Sequence, residues 1–285
     1  QAEGPLKVAS LSTVLSDIAQ NVGGGKVEVE WILKPDKDPH AFQPSPSDVK
    51  TLSQAKIVLA SGKGIEGYLS KLEQSAGPDT RFITVSDSIP SLKMKEAADH
   101  DHDHGGAADH GGLVEDPHWW HSVKNAKIAT KVIRDALAAA DPANADFYKA
   151  NAAAYQVRLD ALAKWVRGQV ALLSADKRKL VTSHDAFQYF ARENGFTIYA
   201  VEGLSTSDQP TSHEVAELIQ TIKAQGVKAV FAESAVNPKV VQEITQETGA
   251  KLGGELLADG LNGKEASTYE DMVRVNVTTI VNALK

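Results

Sequence analysis

Between Pro142 and Ser174 the chain carries no further proline and only one glycine, Gly168. Within that stretch apolar residues fall at Tyr148, Tyr155, Leu159, Leu162, Val166, Val170 and Leu173, at spacings of 7, 4, 3, 4, 4 and 3. Those intervals trace one stripe of an α-helix. Asp141-Pro142 predicts its start, as N-cap and first-turn proline. At 1.5 Å per residue such a helix is roughly 48 Å long, more than one small domain is wide. A chain of 285 residues that contains it is expected to form two bodies joined by a spine.

Both flanks of the stripe alternate between strand and helix patterns. Before it, Leu6–Ser10, Val27–Leu33, Lys56–Ser61 and Arg81–Val85 read as strands. Leu11–Val22, Pro46–Ala55, Ile65–Gln74 and Ser122–Ala140 read as helices, the second with Ser45 as N-cap. After it, Lys179–Thr182, Thr197–Val201, Val227–Ala232 and Leu252–Leu257 read as strands. Ala186–Glu193, a helix from the Thr211–Glu214 capping box to Gln225, Pro238–Thr248 and Thr268–Leu284 complete the pattern. Strands alternating with helices argue βαβ units and parallel sheets. The expected fold class is α/β: two Rossmann-like lobes joined by one long rigid helix. The divisions are 1–140 for the first lobe, 141–175 for the linking helix and 176–285 for the second lobe. A stiff spine of this kind limits lobe closure.

The chain has no cysteine, which excludes a disulfide framework, a thiolate metal site and a cysteine nucleophile, and suits an exported bacterial protein. It opens without Met or a signal peptide and reads as processed or trimmed. The net charge of −7 has a local origin. Residues 96–116 hold Glu96, Asp99, Asp101, Asp103, Asp109, Glu115 and Asp116 and no Lys or Arg, while the remaining acidic and basic residues balance. With no basic block to meet phosphates, nucleic acid is disfavoured as a partner. The same segment holds His100, His102, His104 and His110, so it is expected to be a surface loop able to capture metal loosely.

Asp-Pro-His occurs twice, as Asp38-Pro39-His40 and Asp116-Pro117-His118. The proline fixes its own φ and pushes the preceding Asp to an extended conformation, so each imidazole leaves a stiffened loop beside a carboxylate. Without cysteine, imidazole and carboxylate must bind any metal, which points to a borderline ion such as zinc. Asp38 and Asp116 are candidate partners of the two rings. His40 follows a strand, His184 follows another and precedes a helix, and Asp259 follows a third. Loops beyond the carboxyl ends of parallel strands are where ligands sit. Each has a plainer reading: a loop His is commonly a surface residue, and Asp259-Gly260 equally marks a turn. Spacing alone does not select these residues from nine His and many Asp. His213, in a first helical turn, is expected in solvent.

With these residues assembled, the chain resembles the metal-binding family of substrate-binding proteins from bacterial ABC importers, its zinc branch (ZnuA- and AztC-like) most closely. The resemblance rests on Pro39-His40-Ala-Phe-Gln-Pro44 with Ser45-Pro-Ser-Asp48, Ser61-Gly-Lys-Gly-Ile-Glu66, Asp116-Pro-His-Trp-Trp120, Ser183-His184-Asp-Ala-Phe187 and Ala258-Asp259-Gly-Leu261. It implies a metal site in the interlobe cleft with His40, His118, His184 and Asp259 as ligands. It implies one tight Zn²⁺, with weaker sites at the loop histidines. It implies a membrane permease as partner, a periplasmic zinc metallochaperone as a further one, a monomer and a periplasmic location. Two residues depart from the family pattern: Gln43 stands where Glu is common, and His121 where an aliphatic residue is usual, which makes it a candidate accessory ligand. Manganese members tend to carry a carboxylate at the third position, and here that residue is His184. The alternatives are a manganese carrier of the same family, a surface adhesin and a zinc hydrolase using Glu202 or Glu233.

Overall fold

The computed structural model describes residues 4–95, 113–207, 210–233 and 238–285. The first lobe opens with β1 (Leu6–Ser10), α1 (Thr13–Gly23) and β2 (Val27–Trp31). It continues with α2 (Pro46–Leu52), β3 (Ile57–Ala60), α3 (Leu69–Ser75) and β4 (Arg81–Thr84). A short antiparallel pair, β5 (Lys93–Lys95) and β6 (Leu113–Glu115), precedes α4 (Val123–Ala140). Then comes α5 (Ala145–Val170). The second lobe holds β7 (Lys179–Thr182), α6 (Gln188–Asn194), β8 (Thr197–Ala200) and α7 (Ser212–Gln225). It ends with β9 (Ala229–Glu233), α8 (Pro238–Thr248), β10 (Lys251–Leu256) and α9 (Tyr269–Leu284).

Two four-stranded parallel sheets result, ordered β2-β1-β3-β4 and β10-β9-β7-β8. Counted within each lobe, both orders read second-first-third-fourth strand, so the lobes repeat one topology. Each sheet reverses direction of winding between its first and third strands, and the crevice at that point is where doubly wound folds bind ligands. The central strands β1, β3, β7 and β9 are largely buried, which explains runs such as Ile57-Val58-Leu59-Ala60 with no polar alternation.

The long helix is shorter than the stripe implies. Residues 142–144 form a 3-10 turn, and the α-helix runs for 26 residues from Ala145 to Val170, roughly 39 Å. Asp141 does not cap it. Its carboxylate accepts the Tyr148 hydroxyl at 2.6 Å and the Asn144 amide at 2.7 Å. At the far end, Leu172 and Leu173 make i→i+3 bonds to Gln169 and Val170, which tighten and stop the helix. The buried face is the predicted one: Tyr148, Tyr155, Leu159, Leu162, Val166 and Val170. It packs on α1 and α4 from the first lobe and on α9 from the second. One core cluster runs from Val8 through this stripe to Leu284, so both lobes share a continuous apolar interior. The helix expected at Ile65 starts at Leu69, because Glu66 folds back to accept the backbone N–H groups of Ser61 (2.6 Å) and Gly62 (2.9 Å). Among the described residues no helix is long and apolar enough to cross a membrane.

Candidate metal centre

The two Asp-Pro-His copies fold alike. In each, the Asp carboxylate accepts the backbone N–H of the His two residues on, at 2.8 Å for Asp38 and His40 and 2.9 Å for Asp116 and His118. This Asx turn, with φ of the intervening proline fixed, aims both imidazoles. His118 is further held by its neighbour Trp119, whose indole N–H donates to Ser61 Oγ at 2.8 Å. His184 stands one residue beyond Ser183 at the carboxyl end of β7, and Asp259 lies in the loop after β10.

These four side chains converge. His40 Nε2 lies 3.2 Å from His118 Nε2 and 3.2 Å from Asp259 Oδ1. His184 Nε2 lies 3.3 Å from His118 Nε2 and 3.4 Å from Asp259 Oδ1. His118 Nε2 lies 3.5 Å from Asp259 Oδ1. All four donor atoms sit within 4.8 Å of one another. A tetrahedral ion with ligands at ~2.0–2.1 Å places those atoms about 3.3–3.4 Å apart, so the measured edges fit a four-coordinate site.

The outer hydrogen bonds decide what the inner atoms can do. Asp116 Oδ1 accepts from His118 Nδ1 at 2.8 Å, and Glu233 Oε2 accepts from His184 Nδ1. In the neutral rings, hydrogen on Nδ1 leaves each Nε2 with a lone pair turned inward, whereas a protonated ring donates Nε2–H to Asp259 instead. The centre is therefore lined by acceptors and favours positive charge. Burial alone pushes the His118 imidazole down, but its bonds to Asp116 and Asp259 outweigh burial and raise its pKa. For His184 burial again works downward, and the charges of Asp259 and Glu233 overcome it, leaving the pKa well above the usual imidazole range. Asp259 behaves in the opposite sense. Burial works to raise it, while the charge of His184 and hydrogen bonds from the three imidazoles hold it well below the carboxylate range.

His118 and His184 are fully buried, while the His40 and Asp259 side chains keep 7% and 11% exposure, so the centre is reached from their side. A cavity of about 440 Å³, lined by Asp36, Asp38, Glu255, Asp259 and Lys264 among others, abuts that opening.

The remaining candidate residues lie elsewhere. Asp38 does not meet the His40 ring; its second oxygen accepts the Thr206 hydroxyl of the other lobe at 2.7 Å. His121 is not in the cluster. Its Nε2 faces the Ala258 carbonyl at 2.6 Å, its ring stacks on Phe187, and burial pushes its pKa to about 3, so it is neutral. Gln43 is exposed. His213 is in solvent, its side chain 81% exposed near Glu217. His100, His102, His104 and His110 lie outside the described residues. The residue that sequence reasoning missed as an orienting partner is Glu233. It ends β9, the strand beside β7, and also accepts the backbone N–H groups of Ser183 and His184. Only the sheet order, which brings the third strand next to the first, reveals it.

The sequence matches the profile of the family described as ZnuA, zinc-uptake complex component A, periplasmic, over residues 8–283. It is 34% identical over 291 residues to the manganese-binding lipoprotein MntA of Bacillus subtilis, an alignment covering 100% of this chain and 91% of MntA. It is 33% identical to the iron-binding protein YfeA of Yersinia pestis, with 96% and 85% covered. Among solved structures, the periplasmic zinc-binding protein TroA of Treponema pallidum superposes with a TM-score of 0.87 at 29% identity, covering 99% of each chain. A manganese-bound periplasmic metal-binding protein from Candidatus Liberibacter asiaticus gives 0.86 at 27% identity, over 98% of this chain and 100% of that one.

Proposed function

This chain belongs to the ZnuA family of metal-binding substrate-binding proteins of ABC importers, and we propose that its cargo is one Zn²⁺ held by His40, His118, His184 and Asp259. Members of the family bind a solute for import rather than transform it, and their partner is a membrane permease. The observation that carries the zinc reading is the donor set: three imidazole nitrogens and one carboxylate oxygen, with five of the six edges at 3.2–3.5 Å and all four atoms within 4.8 Å of one another. Imidazole-rich, four-coordinate sites suit zinc, whereas manganese prefers oxygen donors and more of them. A periplasmic location accords with the family description. The histidines of residues 99–110 hold further ions more weakly and raise the local supply.

A manganese carrier is the second reading, favoured by the names of the MntA relatives, and YfeA adds iron as a cargo in the same family. A hydrolase is not upheld. The family is one of solute-binding proteins, and Glu233, one of the two bases that reading offers, is committed to His184 and to two backbone N–H groups.

The test is competition calorimetry with Zn²⁺ and Mn²⁺ on wild type and Asp259→Ala. Zinc is expected to bind at one tight site and displace manganese, and Asp259→Ala to weaken it by about tenfold or more. Preference for manganese would refute the cargo, and unchanged zinc affinity in the variant would refute the ligand assignment.

A further inference from the structure

Ala258, the residue before Asp259, has its carbonyl oxygen held by two donors from the first lobe. The Trp120 indole N–H donates to it at 2.8 Å and His121 Nε2–H at 2.6 Å. A carbonyl oxygen has two acceptor positions, so both are filled. Trp120, His121 and Ala258 are all buried. The donors are themselves fixed. The carbonyl of Trp120 accepts the Tyr269 hydroxyl at 2.8 Å. The His121 ring lies against Phe187 at 4.3 Å between centroids and 29° between planes, three residues after His184. On the other side of Asp259, Leu261 N–H donates to Thr13 Oγ1 at 2.9 Å. Gly260 between them has φ 145°, and a Cβ there would lie 2.3 Å from that same oxygen. Asp259 is thus a second-lobe residue whose main chain is clamped before and after by the first lobe.

Resting on the reading of Asp259 as a ligand, we propose that His121 and Trp120 are positioning residues that fix Asp259 to present one oxygen, and so set the preference for a small four-coordinate ion. Oδ1 is the Asp259 oxygen nearest each of the three imidazole Nε2 atoms, at 3.2, 3.5 and 3.4 Å. Offering both oxygens to a larger ion requires the carboxylate to rotate or its main chain to shift. The two hydrogen bonds to the Ala258 carbonyl and the Thr13 contact resist that shift. Loosening the clamp frees the carboxylate to serve ions that take more oxygen ligands, such as Mn²⁺.

Three variants separate positioning from mere folding. His121→Phe keeps the ring on Phe187 and removes the donor, His121→Gln restores an N–H donor, and Trp120→Phe removes the second donor. Affinities for Zn²⁺ and Mn²⁺ are measured for each, with thermal unfolding of the metal-free proteins alongside. His121→Phe is expected to weaken zinc by about tenfold and manganese less, lowering the zinc-to-manganese ratio about fivefold. Trp120→Phe lowers the same ratio, and His121→Gln recovers most of it. A wild-type ratio in His121→Phe and Trp120→Phe overturns the proposal, as does equal loss of both metals without recovery in His121→Gln. If His121→Phe does not fold, the ratios of Trp120→Phe and His121→Gln decide by the same criteria. Asp259→Ala distinguishes the two levels. If it loses zinc while the other variants keep their ratio, only the positioning role fails; if it keeps zinc, the ligand reading fails and the positioning role with it.

Discussion

Asp38 and Asp116 occupy the same place in the same tripeptide, yet they meet different partners. Both make the Asx turn that aims the following His. Only Asp116 also accepts from its ring, while Asp38 reaches across to Thr206. Replacing Asp116 with Asn removes the charge that supports the His118 imidazole as a ligand, and is expected to weaken zinc binding about tenfold to hundredfold. Asp38→Asn keeps the turn acceptor and is expected to cost under about threefold, since the Asp38 carboxylate bonds the His40 backbone and Thr206 but not the His40 ring. Competition against a chromophoric chelator measures both, and equal losses would count against the distinction. The tripeptide was legible in the sequence as a pair of stiffened imidazoles. The difference between the copies was not, because it depends on which distant atoms lie beside each carboxylate. Glu233 and the Ala258 carbonyl were hidden for the same reason.

Elements whose ends are decided locally were the most legible. Ser45, Thr211 and Thr268 each close a capping box with the acidic residue three positions on, and α2, α7 and α9 start where that pattern puts them. Such a cap contributes about 1 kcal/mol within one turn of chain. The starts of α3 and α5 were misread because the Glu66 carboxylate bonds back to the Ser61 and Gly62 N–H groups and Asp141 accepts the Tyr148 hydroxyl, local bonds that no capping pattern marks. The packing of α1, α5 and α9 carries a titratable group of its own. Asp17 on α1 accepts the Tyr269 N–H at the start of α9 at 2.9 Å, and burial raises its pKa from 3.8 to about 6. A folded-state carboxyl raised in this way holds a proton that the unfolded chain has lost. Stability from this group is therefore greatest below about pH 4 and falls as pH rises through about 6. Asp17→Asn keeps an acceptor without the charge. Urea unfolding of the metal-free proteins is expected to show the variant gaining about 1–3 kcal/mol on wild type between pH 4 and pH 7. A gap that stays constant with pH would show that Asp17 ionises freely in the folded protein.

At the scale of the whole molecule, two lobes of one topology face each other across the candidate metal centre, each contributing two of its four potential donors. They are not hinged like two separate domains. The main core is continuous through α1, α4, α5 and α9, and α9 adds a second crossing that the long helix alone did not predict. Separating the lobes would expose fully buried side chains such as Tyr155 and Leu159, each worth roughly 1.5–3 kcal/mol of burial. Release of cargo is therefore expected to come from local movement of ligand loops. Small-angle scattering of metal-free and zinc-loaded protein should give nearly the same radius of gyration; a large change on loading would mean the lobes swing apart. X-ray absorption at the zinc edge of the protein loaded with one equivalent reads both the ion and its four ligands. Four nitrogen or oxygen neighbours at about 2.0 Å, with the multiple scattering of three imidazoles, is the predicted result. A shell of five or six neighbours at longer distance, or a spectrum with fewer imidazoles, would contradict it.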